Sequence, residues 1–191
     1  MDDQIIGLFR ERLSRDFPDI LPEVDSRTER IFTDAGDSPH LRLTAVVLAG
    51  YQAVLARVPR EQALDRVGKA FHEPVRGFIE DGTRAMLDAS DDPFTALVDV
   101  SKNRERDYFG VDFTFVRSAD DDERYLVDVH RCFYFDLLSR NGCPELGPVF
   151  CEFDAAWIGA IDEERHGFRF ERPTTIARGG PTCPFHFIRT T

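Results

Sequence analysis

Lysine is nearly missing from this sequence: Lys69 and Lys102 are the only two, and the rest of its 24 basic residues are arginine. A bias that strong reflects coding composition, so a single arginine carries little functional weight. The basic residues face 35 acidic ones, for a net charge of −11 and a pI near 4.9. Such a field repels phosphate backbones and anionic lipid headgroups, which argues against a nucleic-acid binder or a membrane-surface protein. Long apolar runs are also lacking. Residues 45–49 form the longest, far short of the roughly 18 that a membrane span requires. Met1-Asp2-Asp3 is acidic and has no signal-peptide character, so the expectation is a soluble, cytoplasmic protein. No cysteine pair has the CxxC spacing of a structural zinc knuckle, which disfavours a closed four-thiolate site.

What is present is ample core material. Of 191 residues 42% are hydrophobic, and 17 are phenylalanine, which excludes global disorder. The length fits a single domain over residues 1–191. Apolar spacing in the first half is helical. It predicts helices over 4–17, 23–33, 40–58 and 60–89, with a breaker at 35–39 and with Pro74 and Gly77 bending or dividing the last. Asp91-Asp92-Pro93 reads as the cap and first turn of a further helix to about Asn103. The period then changes to two. Phe109, Val111, Phe113 and Phe115 predict a half-buried strand, residues 119–123 an acidic turn, and 125–133 a return strand. Asn141-Gly142 marks a turn, residues 145–161 read as a helix, and 168–171 and 185–189 as strands. The fold class is therefore α+β: a helical layer over residues 1–106, packed on a mainly antiparallel sheet over 107–191.

Chemistry concentrates in that second part. All four cysteines, Cys132, Cys143, Cys151 and Cys183, lie there, and without an export signal they read as thiols or ligands rather than disulfides. Alternation puts Asp128, His130 and Cys132 on one strand face at intervals of about 6.5–7 Å, too far apart for direct contact. Cys151 and Asp154 share a face if they are helical, and a carboxylate beside a thiol can accept a proton or orient water. Cys183 and His186 have the same spacing but fall on opposite faces of a strand. Between these groups, Arg172 can grip a carboxylate bidentately, and Gly179-Gly180 lets backbone amides approach a ligand.

Taken in order, Cys132-Phe133-Tyr134, Gly142, Pro144-Glu145-Leu146, Cys151-x-x-Asp154, Arg172, Thr175 and Gly180-x-x-Cys183-x-Phe185 resemble the L-2-amino-thiazoline-4-carboxylic acid hydrolase family. The resemblance covers about residues 108–189, with Cys143 and His186 outside the pattern. It implies hydrolysis of a cyclic amidine to an N-carbamoyl amino acid, without a cofactor. Cys183 is its first nucleophile, Cys151 and Cys132 its next, Asp154 a partner for the amidinium and His130 a proton shuttle. Arg172, Thr175 and Gly180 would bind substrate. The expected partner is that small molecule alone, with no nucleic acid and no membrane. Two other readings stay open at this point: a binding or accessory protein that keeps the pocket without turnover, and a metal-dependent thiol enzyme using two or three of the cysteines with His130 or Asp154.

Overall fold

A computed structural model describes residues 2–35, 38 and 40–190. The breaker expected at 35–39 lies largely outside them. In chain order the elements are α1 (Asp2–Asp16), α2 (Leu21–Ala35), α3 (Leu41–Leu55), α4 (Arg60–Asp88), α5 (Pro93–Asn103), β1 (Thr114–Asp120), β2 (Arg124–Arg131), α6 (Phe133–Arg140), α7 (Gly147–Glu152), α8 (Ala155–Ile158), α9 (Glu163–His166), β3 (Phe168–Glu171) and β4 (Cys183–Arg189). They form two compact units, one of Met1–Arg76 with Tyr134–Phe153, the other of Gly77–Phe133 with Asp154–Thr191. The chain is α+β, with its helices first and a four-stranded antiparallel sheet towards the C-terminus. No helix among the described residues is long and apolar enough to cross a membrane.

In the helical unit, α3 is apolar almost all round and is buried accordingly from Leu43 to Tyr51 and again at Ala53 and Val54, with Gln52 only half-buried. Gly50 makes this close packing possible, because a Cβ there would lie 2.8 Å from Phe9 Cζ and 3.2 Å from Leu13 Cδ2. Phe71 continues the core, edge-on to Phe9 and tilted against Phe150 and Phe153. Helix α4 is continuous through Pro74, which neither divides it nor ends it. Proline removes one N–H bond, and the burial of Ala70, Phe71 and Val75 around it offsets that local loss. The boundary between the two units nevertheless falls at Arg76–Gly77.

In the sheet unit the strand order is β1-β2-β4-β3. Registered pairs share a face, so Tyr125, Val127 and Val129 lie with Phe187, Phe185 and Cys183 on one side. That side joins Leu87, Phe94, Leu97, Val98 and Phe168 in the core. Leu126, Asp128, Pro184 and His186 take the other side. Helix α5 starts as its sequence predicts. Asp92 accepts from the Thr95 amide, Pro93 follows it, and Arg189 of β4 reaches Asp92 at 2.6 Å. The Arg189 guanidinium, helped by the Thr95 hydroxyl and amide, lowers the Asp92 pKa to about 2. A carboxylate whose folded pKa lies below its unfolded value stabilises the fold above the unfolded value and loses that contribution as pH falls through the folded one. Asp92→Ala is therefore expected to cost about 1–2 kcal/mol at pH 7. In urea melts at several pH values, the gap to wild type should close between about pH 4 and pH 2; a gap independent of pH would refute this.

Beyond α4, three segments differ from what their sequence predicts. Residues 109–113 are not strand: a π turn (Arg104–Phe109) and a 3-10 turn (Gly110–Asp112) precede β1. Gly110 at φ 53 breaks the extended chain, and Phe109 packs edge-on against Phe113 and tilted against Phe115 locally, which produced the misleading alternation. Val111, expected inside, is 91% exposed. Residues 145–161 are not one helix, since a 3-10 turn (Pro144–Leu146), α7 and α8 divide them, with Pro148 at the start of α7 and an irregular turn at Phe153–Asp154. Finally β2 stops at Arg131, and Phe133–Arg140 is helical, burying Phe133, Leu137 and Leu138. The β-prone run of aromatics at its start conceals this helix.

Candidate functional site

Five of the candidate residues, Thr175, Gly180, Cys183, Asp154 and Arg172, lie in the sheet unit at and beside the loop that leads into β4. After β3 the chain turns through Thr175 and a 3-10 turn (Ile176–Arg178), and Gly179 reverses it at φ 86. The amides of Arg178 and Gly180 both donate to the Thr175 carbonyl, at 3.0 and 2.9 Å. Cys183 closes the loop: its Sγ accepts the Ile176 backbone N–H at 3.1 Å. Cys183 is 7% exposed as a residue, and a thiolate accepts such a contact more strongly than a thiol. Thr175 is buried at the same turn.

Gly180 is required by space rather than by backbone angle. A Cβ there would lie 2.5 Å from Thr174 Oγ1 and 2.7 Å from its Cγ2. Threonine is stiff at χ1, so it cannot swing clear without cost. Gly180→Ala is expected to lose about 1–2 kcal/mol in thermal melts, and Thr174→Ala in the same chain to recover most of it. A full loss in the double variant would mean that the clash is not the cause.

The second part of the site is ionic and aromatic. Arg172 donates to Asp154 Oδ2 at 2.6 Å, and the Trp157 indole N–H donates to Asp154 Oδ1 at 3.0 Å. Asp154 stands at the N-cap position of α8 without making a cap hydrogen bond, because its two oxygens are used sideways. The Arg172 guanidinium lies 5.2 Å from the Phe185 ring centroid, and Trp157 stacks on Phe185 at 6.3 Å. Phe185 and Cys183 alternate onto one face of β4, about 7 Å apart along the strand. One carboxylate thus holds a guanidinium and an indole against the aromatic ring next to the sulfur.

The other candidates lie elsewhere. His130 is exposed on β2, with alternation placing it on the sheet face opposite Cys183. On that same face Asp128 pairs with His186 at 2.9 Å, so His186 serves Asp128 rather than Cys183. Cys132 follows the end of β2, half-buried, and is not part of the strand face assigned to it from alternation. Cys151 is half-buried on α7 and belongs to the helical unit. Cys143, also there, is buried, and burial raises its pKa, which opposes thiolate formation. None of the four cysteines is in a disulfide. Among the described residues no three His, Cys, Asp or Glu side chains are grouped to hold a metal ion.

Sequence reasoning missed Trp157 and the Ile176 amide. Trp157 had a signal, the i, i+3 spacing from Asp154. The amide had none, because a backbone donor is visible only once the loop has closed.

Among comparisons with known proteins, no curated protein matches this chain. The crystal structure of the Fe(II) unliganded H-NOX protein from K. algicida aligns over 100% of this chain and 97% of that one, at 13% identity and a TM-score of 0.40. The model of the family described as L-2-amino-thiazoline-4-carboxylic acid hydrolase matches residues 40–187, extending well into the helices before the motif-bearing part. With most of its length so matched, and with the ordered Cys, Asp, Arg and Gly motifs in that span, the chain belongs to the L-2-amino-thiazoline-4-carboxylic acid hydrolase family.

Proposed function

We propose that the protein hydrolyses a small zwitterionic cyclic amidine, with Cys183 as the nucleophile and the Asp154–Arg172 pair as the substrate clamp. The observation that carries this reading is the hydrogen bond from the Ile176 N–H to Cys183 Sγ, a donor on the atom that must carry charge. Support also comes from complementarity. An amidine carboxylate of this class is cationic at one end and anionic at the other, as Asp154 and Arg172 are in reverse.

In the proposed step the Cys183 thiolate adds to the ring carbon between nitrogen and sulfur of the protonated amidine. The tetrahedral adduct collapses by breaking the bond from that carbon to the ring sulfur, which leaves as the substrate's own thiolate and takes a proton. An isothiourea joined to Cys183 remains. Water adds to the same carbon, and the bond to Cys183 breaks, so the net change is one water consumed and one N-carbamoyl amino thiol released. Asp154 favours the amidinium that makes the carbon electrophilic, and Arg172 orients the carboxylate. Neither His130 nor His186 enters, since both occupy the other face of the sheet.

The test is release of free thiol from 2-amino-thiazoline-4-carboxylate, followed with a thiol reagent, with N-carbamoyl-cysteine identified by mass. Stoichiometric appearance of both supports the reaction. If the ring stays intact, the namesake substrate is wrong for this chain.

A further inference from the structure

The helical unit carries a cavity that the proposed reaction does not use. It is open to solvent, has a volume of about 130 Å³, and is lined by Arg27, Arg30 and Ile31 of α2, Gln52 of α3 and Asn141 of the turn after α6. The three α2 residues share a helical face through i, i+3 and i, i+4 spacing. The two arginines differ in their surroundings. Arg27 donates through Nε and Nη2 to Glu23 Oε1, at 2.9 and 2.7 Å, so its charge is met. Arg30 is exposed and has no acidic partner among the described residues; its Nε donates to the Ser26 carbonyl at 3.2 Å. The amides are oriented too. Gln52 Nε2 donates weakly to Cys143 Sγ at 3.9 Å, and Asn141 Nδ2 to the Leu137 carbonyl at 2.9 Å. Each side-chain oxygen then remains as an acceptor in the lining.

One exposed guanidinium with no acidic partner among the described residues, two amide acceptors and an apolar wall describe a ligand with three matching parts. We propose that this cavity binds a small carboxylate that also bears an amide or ureido group. Arg30 takes the carboxylate, Gln52 Oε1 and Asn141 Oδ1 accept ligand N–H groups, and Ile31 packs against the short carbon link. The volume suits about six to eight heavy atoms, since a cavity of roughly 150 Å³ holds a benzene. On a chain with a net charge of −11, an exposed guanidinium such as that of Arg30 is also a local attractor for anions.

The probe is N-carbamoylglycine, titrated into the full chain and followed by calorimetry and backbone amide NMR, with acetate, urea and inorganic phosphate as comparators. Saturable binding with a Kd of millimolar order is expected for a ligand of this size. Shifts should centre on α2, the end of α3 and Asn141. Arg30→Met and Gln52→Leu should each weaken binding about tenfold, while thiol release from the thiazoline stays at the wild-type rate. That last readout separates this site from the proposed catalytic one, because the binding result stands or falls whether or not the chain turns over any amidine. Absence of saturation, or equal affinity in wild type and Arg30→Met, overturns the proposal. Phosphate binding as tightly as N-carbamoylglycine, with Gln52→Leu unchanged, also overturns it, by reducing the cavity to a charge contact.

Discussion

Cys183→Ser is expected to stop thiol release from 2-amino-thiazoline-4-carboxylate, lowering the rate by about 10³-fold or more. The reasoning is electronic rather than steric. A thiol yields a thiolate near neutral pH, whereas a serine hydroxyl without a base beside it does not. The serine oxygen can still accept the Ile176 amide that Cys183 accepts at 3.1 Å, so the loop should close as before. Unfolding free energy should accordingly stay within about 1 kcal/mol of wild type, as for a near-isosteric change. A variant that is folded and inactive fits Cys183 as nucleophile. A folded variant with wild-type turnover removes Cys183 from the mechanism. Cys151→Ser and Cys132→Ser then become the deciding pair, since loss of activity in one of them alone would move the nucleophile there.

The largest loss of stability is expected from Arg117→Met, about 3 kcal/mol in urea melts. Glu105 sits in the π turn before β1 and is only 8% exposed, yet it carries a carboxylate. Arg117 of β1 and the hydroxyl of fully buried Tyr125 both donate to it, and Arg117 also contacts that hydroxyl at 3.1 Å. Burial and the neighbouring carboxylate push the Tyr125 phenol well above its usual range, so it stays a neutral donor. Removing the guanidinium leaves a buried carboxylate with one neutral partner, and desolvation is no longer met. The lower end of the usual range applies because the Arg117 side chain is partly in water. Glu105→Leu combined with Arg117→Met removes both charges and should be more stable than Arg117→Met alone. Strict additivity of the two single losses would show that the groups are not coupled.

This network and the candidate site illustrate the same limit on reading sequence. Asp92 at the start of α5, Asn141-Gly142 at its turn, and the short strand Phe168–Glu171 all lie where local chemistry puts them. Each depends on neighbours within a few residues: a side-chain cap, a glycine with positive φ, a period of two. The Cys, Asp, Arg and Gly series that carries the family was likewise legible in order along the chain. Glu105 gave no sign that it is buried, because its partners stand 12 and 20 residues further on. Residues 109–113 alternate like a strand because aromatic rings meet one another, and alternation does not say with what.

The sequence by itself determined the α+β class, the helical first half, the antiparallel strand pairing near the C-terminus and the set of residues able to do thiol chemistry. Those follow from periodicity and composition, which act over one or two turns of chain. Tertiary structure alone decided which of them meet. Strand register put Cys183 on the core face and His186 with Asp128 on the other, and a one-residue shift would have exchanged them. Loop closure supplied the Ile176 amide, and side-chain packing turned Asp154 from its helix cap towards Arg172 and Trp157. Two compact units drawn from interleaved segments, with Cys151 in one and Cys183 in the other, could not be read locally either. Contacts between residues distant in sequence are set by the burial of whole faces, and no window of a few residues contains that energy.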